Sequence, residues 1–293
     1  MSSLISIGLS GLSASQAALS VTSNNIANAA TSGYSRQQTV QAAGPSHNIG
    51  AGFLGTGTTL ADVRRIYSSY LDNQLQTATS LQADSLTFQD QITSVDKLLA
   101  DRDTGISSVL TAFFSALQTA AAKPGDVASR QLLLTQAQTL SNRFNAVSTQ
   151  LTQQNATINS QLDTMAGQVN KLTANIAEYN KQITAASASG NTPNSLLDAR
   201  SEAVRQLNEL VGVTVQERDG NYDVYLGSGQ SLVTGTKANT LSVEPGVADK
   251  SQVALRINYD SFSSDVTSVV SGGAIGGLLR YRQDCLLYTS PSP

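Results

Sequence analysis

Between Pro124 and Pro193 the chain has no proline, and between Gly125 and Gly190 its one glycine is Gly167. Nothing in that span forces a helix to stop. Apolar residues recur through it at Leu140, Phe144, Val147, Leu151, Ile158, Leu162, Met165, Val169, Leu172, Ile176, Tyr179 and Ile183. The steps alternate four and three, the spacing of a helix-packing seam. Gln154 is the one polar miss. Gln154, Ile158 and Leu162 place two steps of four together, a stutter that locally unwinds a left-handed supercoil. Asp126, after Pro124-Gly125, stands where an N-cap is needed. A helix of about 60 residues extends about 90 Å at 1.5 Å per residue. No globular core is that long, so the spacing predicts a rod, with Leu140 to Ile176 of the seam as its core.

The rod's expected partners share its period. Leu71, Ala78, Leu81, Phe88, Ile92, Val95 and Leu99 mark an upstream helix. Ile106, Leu110, Phe113, Phe114 and Leu117 mark a short one, and Leu196, Leu197, Val204, Leu207 and Leu210 the last. The faces left over carry Gln, Thr, Asn and Ser rather than Glu and Lys. Such faces suit close lateral packing in a polymer, where like charges would repeat and repel. They equally suit a merely Gln/Ser-rich surface. From Val211 the period switches to two. Val213 and Val215 precede Asp219-Gly220, and Tyr222, Val224 and Leu226 follow, which is a hairpin signal. Leu241/Val243 and Val253/Leu255/Ile257 predict further antiparallel strands.

The N-terminus is unusual in another way: no charged side chain occurs before Arg36. Ile5, Leu12, Leu19 and Ile26 recur every seven residues, with Leu9 beside them, on a Ser/Ala/Gly/Asn background. The segment lacks the basic start and unbroken apolar stretch of a secretory signal. A helix of this kind has weak intrinsic propensity and no ion pairs to support it. It either docks on its own domain or orders only against neighbouring copies as an assembly helix.

The chain is therefore expected to be mainly α with a β-rich segment. An N-terminal assembly helix spans 1–33 and an extended arm 34–66, with short strands at Gln38–Gln41 and Thr58–Val63. A long antiparallel helical rod or coiled-coil domain spans 67–211, and an incomplete antiparallel β domain 212–284. The tail 285–293 reads as non-native and is excluded from fold reasoning.

Composition removes several functions. Charged residues are 13% of 293, about half the usual quarter. One His and one Cys cannot form a His/Cys metal site, a Cys–His dyad or a disulfide framework. A net charge of -3 leaves no electrostatic footprint for nucleic acid. No unbroken apolar run of about 18 residues occurs, so no membrane insertion is expected. Gly50-Ala51-Gly52-Phe53-Leu54-Gly55 fits a dinucleotide fingerprint but lacks the strand before it and the helix after it. Asp219, Asn221 and Asp223 mimic the start of a calcium loop, but Val224 and Gln230 occupy its obligatory Gly and Glu positions. His47 has no catalytic constellation around it, and Asp101-Arg102-Asp103 reads as a solvated helix end. No catalytic, cofactor-binding or metal-binding residue is assigned, and no cofactor is expected.

Asn24, Asn25, Ile26, Ala27, Asn28, Thr31, Gly33, Tyr34 and Arg36 form an ordered motif that resembles the N-terminal motif of the flagellar axial proteins, the rod, hook and hook-associated subunits. Asn residues end the helix, and Gly33 permits the positive φ of a tight exit. Tyr34 and Arg36 are then placed to anchor the arm. Ser32 stands where many relatives have Pro. Gly33-Tyr34-Ser35-Arg36-Gln37, Gly55-Thr56-Gly57, Val63-Arg64-Arg65-Ile66-Tyr67 and Tyr70-Leu71-Asp72 are similar to the family of hook-associated protein 1. So are Asn194-Ser195-Leu196-Leu197-Asp198-Ala199-Arg200, Leu210-Val211-Gly212-Val213 and the Gly-rich run Gly272–Leu279.

The resemblance implies a structural subunit and no enzyme. It implies type III export without a cleavable signal and an extracellular place at the hook–filament junction of the bacterial flagellum. The implied partners are copies of itself, the hook protein, the next hook-associated protein, the export apparatus and a chaperone. It also implies a further β region and a C-terminal helix that pairs with the first. This sequence carries neither, and the chaperone contact would lie in that missing part. The alternatives are a hook, rod or filament subunit, or a chemoreceptor-like signalling coiled coil.

Overall fold

The computed structural model describes residues 2–48, 50, 52–99, 105–190, 192–227, 229–247 and 249–286. Helix α1 spans Ser2–Ala27. Strands β1 (Gln37–Ala43) and β4 (Thr58–Arg65) pair antiparallel from Gln37↔Arg65, with a bulge between Val40 and Gln41. Between them lies a minimal hairpin of β2 (His47–Asn48) and β3 (Phe53–Leu54). The stretch expected as an extended arm is thus a β ribbon, and it folds back along α1.

Helices α2 (Ser69–Leu99), α3 (Ile106–Ala122), α4 (Val127–Ala188) and α5 (Asn194–Leu210) follow. Helix α4 is 62 residues long. Asp126 caps it as expected, accepting from the backbone N–H groups of Ala128 and Ser129 and from the Ser129 hydroxyl at 2.6 Å. These bonds, the Ser129 hydroxyl first, hold its carboxyl below the ordinary 3.8. The segment Asp101-Arg102-Asp103 lies outside the described residues.

Two antiparallel sheets come next. One has the order β5 (Val213–Arg218), β6 (Asn221–Leu226), β7 (Gln230–Thr234), β8 (Lys237–Ala238). The other has β9 (Thr240–Pro245) and β11 (Ser263–Asp265) flanking β10 (Val253–Asn258). Asp219 and Gly220 both take positive φ, 52° and 77°, as the expected two-residue hairpin turn requires. Helix α6 (Gly273–Tyr281) closes the fold and runs into a π-helical turn over Arg282–Leu286.

The core lies at one end of the rod. Ile158, Leu162, Val169 and Ile176 of α4 are fully buried together with Val204 and Leu207 of α5, Val224, Leu226, Leu255 and Ile257 of the sheets, and Ile275 and Leu278 of α6. Met165, Leu172 and Leu151 pack partly buried against this cluster. Toward its N-terminus α4 packs mainly on α3, through Val147, Ala116 and Ala120. Leu140 is therefore only partly buried. Phe144, expected in the rod core, is 48% exposed because the short α3 cannot cover it. The polar miss at Gln154 has a use: its side-chain amide donates to the Gln91 side chain on α2 at 3.3 Å.

Helix α2 departs further from expectation. Leu71 and Leu81 belong to its expected seam, yet both face outward, with Leu75 and Leu86 beside them. Its inward face is small and polar: Gln76, Ser80, Asp84 and Thr87, then Phe88. That face suits α6, whose glycines bring the two backbones together. A Cβ on Gly277 would lie 2.5 Å from the Asp84 carbonyl oxygen. Arg280 then pairs with Asp84 at 2.5 Å and lies 4.3 Å over the Phe88 ring, and Tyr281 meets Phe88 edge-on.

Two outcomes follow from this packing. Leu162→Ala should cost about 2–5 kcal/mol, whereas Phe144→Ala should change stability by less than about 1 kcal/mol, as read from urea midpoints. The Tyr281 phenol is pushed up from 10.0 to about 12, by burial first and by Cys285 second. A raised pKa contributes stability that is complete below pH 10 and is lost as pH rises through 12. Tyr281→Phe should therefore shrink the alkaline fall in melting temperature across that window.

Candidate assembly surface

Helix α1 has two faces with opposite assignments. Ile7, Ser10, Ala14, Ala17, Ala18, Val21 and Asn25 face the ribbon. Most are small, so the helix and strands approach closely; Ala14 is only 5% exposed. The Ser10 hydroxyl donates to the Ile7 carbonyl at 2.7 Å and accepts from the Thr58 N–H at 3.2 Å. Ile5, Leu9, Leu12, Leu19 and Ile26 lie on the opposite side, between 55% and 73% exposed. The expected stripe thus exists as a line of apolar side chains on the outside of a helix already packed through its other side. Of the two alternatives from the sequence, docking on the same chain holds and ordering only against neighbouring copies does not: α1 is helical and packed on the ribbon within one chain, and only its stripe is left uncovered. A groove of about 510 Å³ runs beside the stripe, lined by Ala18, Val21, Asn25, Ile26, Arg36 and Ile66 among others.

The motif that ends α1 is a hydrogen-bond device. Asn25 mimics a backbone strand: its amide donates to the Gln37 carbonyl and its oxygen accepts from the Gln37 N–H, both at 2.9 Å. The same oxygen accepts from the Tyr34 hydroxyl at 2.8 Å. One side chain thereby fixes where the ribbon starts. The Asn28 side chain donates to the Asn24 side-chain oxygen at 2.7 Å and accepts from the Thr31 hydroxyl. Ile26 and Ala27 are exposed. Gly33 has φ 77°, and a Cβ there would lie 2.7 Å from Glu202 Cβ. Only glycine makes that exit against α5 without strain.

Arg36 does not act as the expected anchor. Its carbonyl accepts from the Ile66 N–H at 2.7 Å, but its side chain is exposed and makes no hydrogen bond or ion pair among the described residues. The anchor is Arg65, one strand away. Its guanidinium pairs with Asp198 of α5 at 3.0 Å, with both side chains 9% exposed. The other oxygen of Asp198 accepts from the Ser35 N–H at 3.2 Å. Asn194 donates to the Val63 carbonyl, and the Thr192 hydroxyl donates to Asp62 at 3.2 Å.

Arg65 also lies 4.6 Å over the Tyr67 ring. Tyr67 and Tyr222 share a hydroxyl contact at 3.5 Å. Burial first, then Tyr222, pushes the Tyr67 phenol well above its ordinary range. Arg200 lies 3.6 Å over the Tyr222 ring and donates to the Asn180 side chain at 2.9 Å and the Gly220 carbonyl at 2.7 Å. Burial lowers the pKa of this guanidinium. The motif Asn194–Arg200 is visible in the sequence, but its role is not: it is the receptor for the ribbon.

The features weighed as chemical sites fall elsewhere. Gly50 and Gly52 sit between β2 and β3, and no helix opens on Gly55. Asp223 accepts from the Gly235 N–H at 2.7 Å and Asn221 from the Thr184 hydroxyl, as hairpin supports. His47 lies exposed on β2. Among the described residues no group of three His, Cys, Asp or Glu side chains could hold a metal. The sequence expectation of no membrane-length apolar segment does not hold for α1. Leu4–Ala27 has a mean hydropathy of 1.4 and is, by length and composition, apolar enough to cross a membrane. Small residues keep the average high although no unbroken apolar run exists.

Residues 5–34 match the family model described as flagella basal body rod protein. Residues 92–290 match that of the flagellar hook-associated protein FlgK helical domain. Flagellar hook-associated protein 1 of Salmonella typhimurium is 35% identical over 98% of this chain and 53% of its own length. The Escherichia coli K12 protein of the same name is 32% identical over the same shares. The structure of the flagellar hook junction protein FlgK from Burkholderia pseudomallei superposes with a TM-score of 0.68 at 32% identity, covering 73% of this chain and 39% of that one. The chain spans about half the length of the curated relatives it matches. An uncharged terminal helix with this exit motif and a helical body define a flagellar structural subunit. Within that class, the chain belongs to the FlgK family of hook-associated proteins.

Ala14→Leu should overpack the small face and lift the ribbon from α1. Amide exchange of residues 37–43 and 58–65 should then accelerate, while the same experiment on Leu12→Ser should show no change there.

Proposed function

We propose that this chain acts by self-assembly, as a structural subunit of the bacterial flagellum at the hook–filament junction, and not by catalysis. The observation that carries the reading is the exposed, charge-free stripe Ile5, Leu9, Leu12, Leu19 and Ile26. A helix whose small face is already occupied presents its large apolar side chains for another surface. Burial of each such side chain contributes roughly 1.5–3 kcal/mol, available only once a neighbour arrives. The absence of charge lets identical copies lie side by side without repulsion. In this reading the cover comes from copies of the same subunit and from a C-terminal helix of the full-length family member. The hook protein and the next hook-associated protein lie above and below. Export by the flagellar type III apparatus with a chaperone, without a cleavable signal, delivers the subunit outside the cell.

A hook, rod or filament subunit is the second reading, favoured only by the match over residues 5–34. The longer match over 92–290 supports the junction. Immunogold labelling should fall at the hook–filament boundary; labelling along the hook or filament would favour the second reading.

Removing residues 2–33 should abolish assembly while leaving α4, α5 and the sheets folded by circular dichroism. Leu12→Ser with Leu19→Ser should leave the melting temperature of the isolated protein unchanged, since both sites are exposed, yet give the same loss of assembly. Junctions built normally by either variant would overturn the mechanism.

A further inference from the structure

We propose that Asp198 and Arg65 form a latch that sets the pitch of α1 and its ribbon against the body. Asp198 and Arg65 act through the placement of α1 and are positioning residues.

The argument begins with connectivity. Helix α1 and the ribbon are one packed unit, joined to the body by the short segment Ile66–Ser68 between β4 and α2. Among the described residues, none of α1 or the ribbon enters the main buried core. Apolar packing therefore does not orient the unit, and directional polar bonds must. Those bonds converge on α5. One carboxylate holds both chain crossings at the body end of the ribbon: Ser35, where the chain enters β1, and Arg65, where it leaves β4. Asn194 holds Val63 and Thr192 holds Asp62 beside it, and Gly33 rests against Glu202.

The receptor is itself tied into the body. Arg65 stacks on Tyr67, Tyr67 meets Tyr222, and Tyr222 is clamped under Arg200. Asn180 of α4 then accepts from Arg200 and donates to the Tyr222 and Gly235 carbonyls at 2.9 and 2.6 Å. The chain of contacts runs from the ribbon through α5 to the rod and the first sheet. A buried ion pair contributes little net stability, but it is demanding in geometry, because either charge left alone is strongly disfavoured. That is the property an orienting joint needs.

Leverage gives the joint its consequence. Helix α1 is 26 residues, about 39 Å long. Ten degrees of slack at its base would move its far end by about 7 Å, more than one helical turn of 5.4 Å. A stripe displaced that far no longer matches a neighbour's register. The assembly consequence rests on the function proposed above; the joint itself does not.

The test measures the joint in the isolated protein. Spin labels go on Gln16→Cys of α1 and Ala174→Cys of α4, both exposed positions, with Cys285→Ser in the background. The distance distribution between them should be narrow in the parent. It should broaden at least twofold with Asp198→Ala or Arg65→Ala, while amide exchange of α4, α5 and β5–β10 stays as in the parent. Arg65→Lys keeps the charge and should keep the narrow distribution. Broadened variants should also lose assembly. The stripe variant Leu12→Ser with Leu19→Ser is the control: it should stay narrow and lose assembly, so failure of the assembly reading shows there. A narrow distribution in both alanine variants would overturn the latch, whatever assembly does. Broadening with normal assembly would overturn its role in setting register.

Discussion

A helix of 62 residues presents more side surface than its neighbours cover, and the architecture follows from which part is covered. The C-terminal half of α4 is enclosed by α5, both sheets and α6, and there every seam residue is partly or fully buried. The N-terminal part packs mainly on α3, so the same repeat leaves Phe144 half in water. Burial at one end makes a rigid platform, and the platform makes the rest possible. The first sheet can hold Tyr222, α5 can hold Arg200 and Asp198, and these can hold a ribbon with no core of its own.

The second consequence concerns the division of labour within α1. Tight packing and exposed apolar surface rarely coexist on one short helix. Here they separate by side-chain size: small residues against the ribbon, large ones toward solvent. Asn25 fixes the register of this separation. It supplies the hydrogen-bond pair that a neighbouring strand would supply and so starts the ribbon at a defined point on the helix. The helix is thus ordered within its own chain, and its stripe remains free. Its order needs no neighbour, whereas the burial of its stripe does.

Much of this is legible from local pattern. The proline-free span and its four–three spacing mark α4, Asp126 marks its start, and Asp219-Gly220 marks the first hairpin. Each depends on residues a few positions apart. Two expectations fail for one shared reason. The motif points to Arg36 as the anchor in place of Arg65, and the heptad period points to the outward leucines of α2 as a seam. In both cases the deciding contact is distant in sequence: Asp198 lies 133 residues from Arg65, and Gly277 meets Asp84 across most of the fold. The inward face of α2 is polar over its first half, so there the hydrophobic period points to the wrong side, whereas Phe88 and Val95 of the same period do pack on the core. The groups that bury the polar face are glycines and an arginine, which carry no periodic signal.

The sequence alone therefore determined helices α1 to α5 and strands β1, β4, β5, β6, β9 and β10, where α4 begins, and that α1 carries an apolar line without charge, but not helix α6 inside the expected β segment. These are short-range matters of φ/ψ preference, capping and side-chain period. Tertiary structure alone decided which stretch of the seam is covered, which face of α1 and α2 turns outward, and which arginine meets Asp198. Coverage is a competition among surfaces brought together from far along the chain, and periodicity in one segment holds no record of what arrives opposite it.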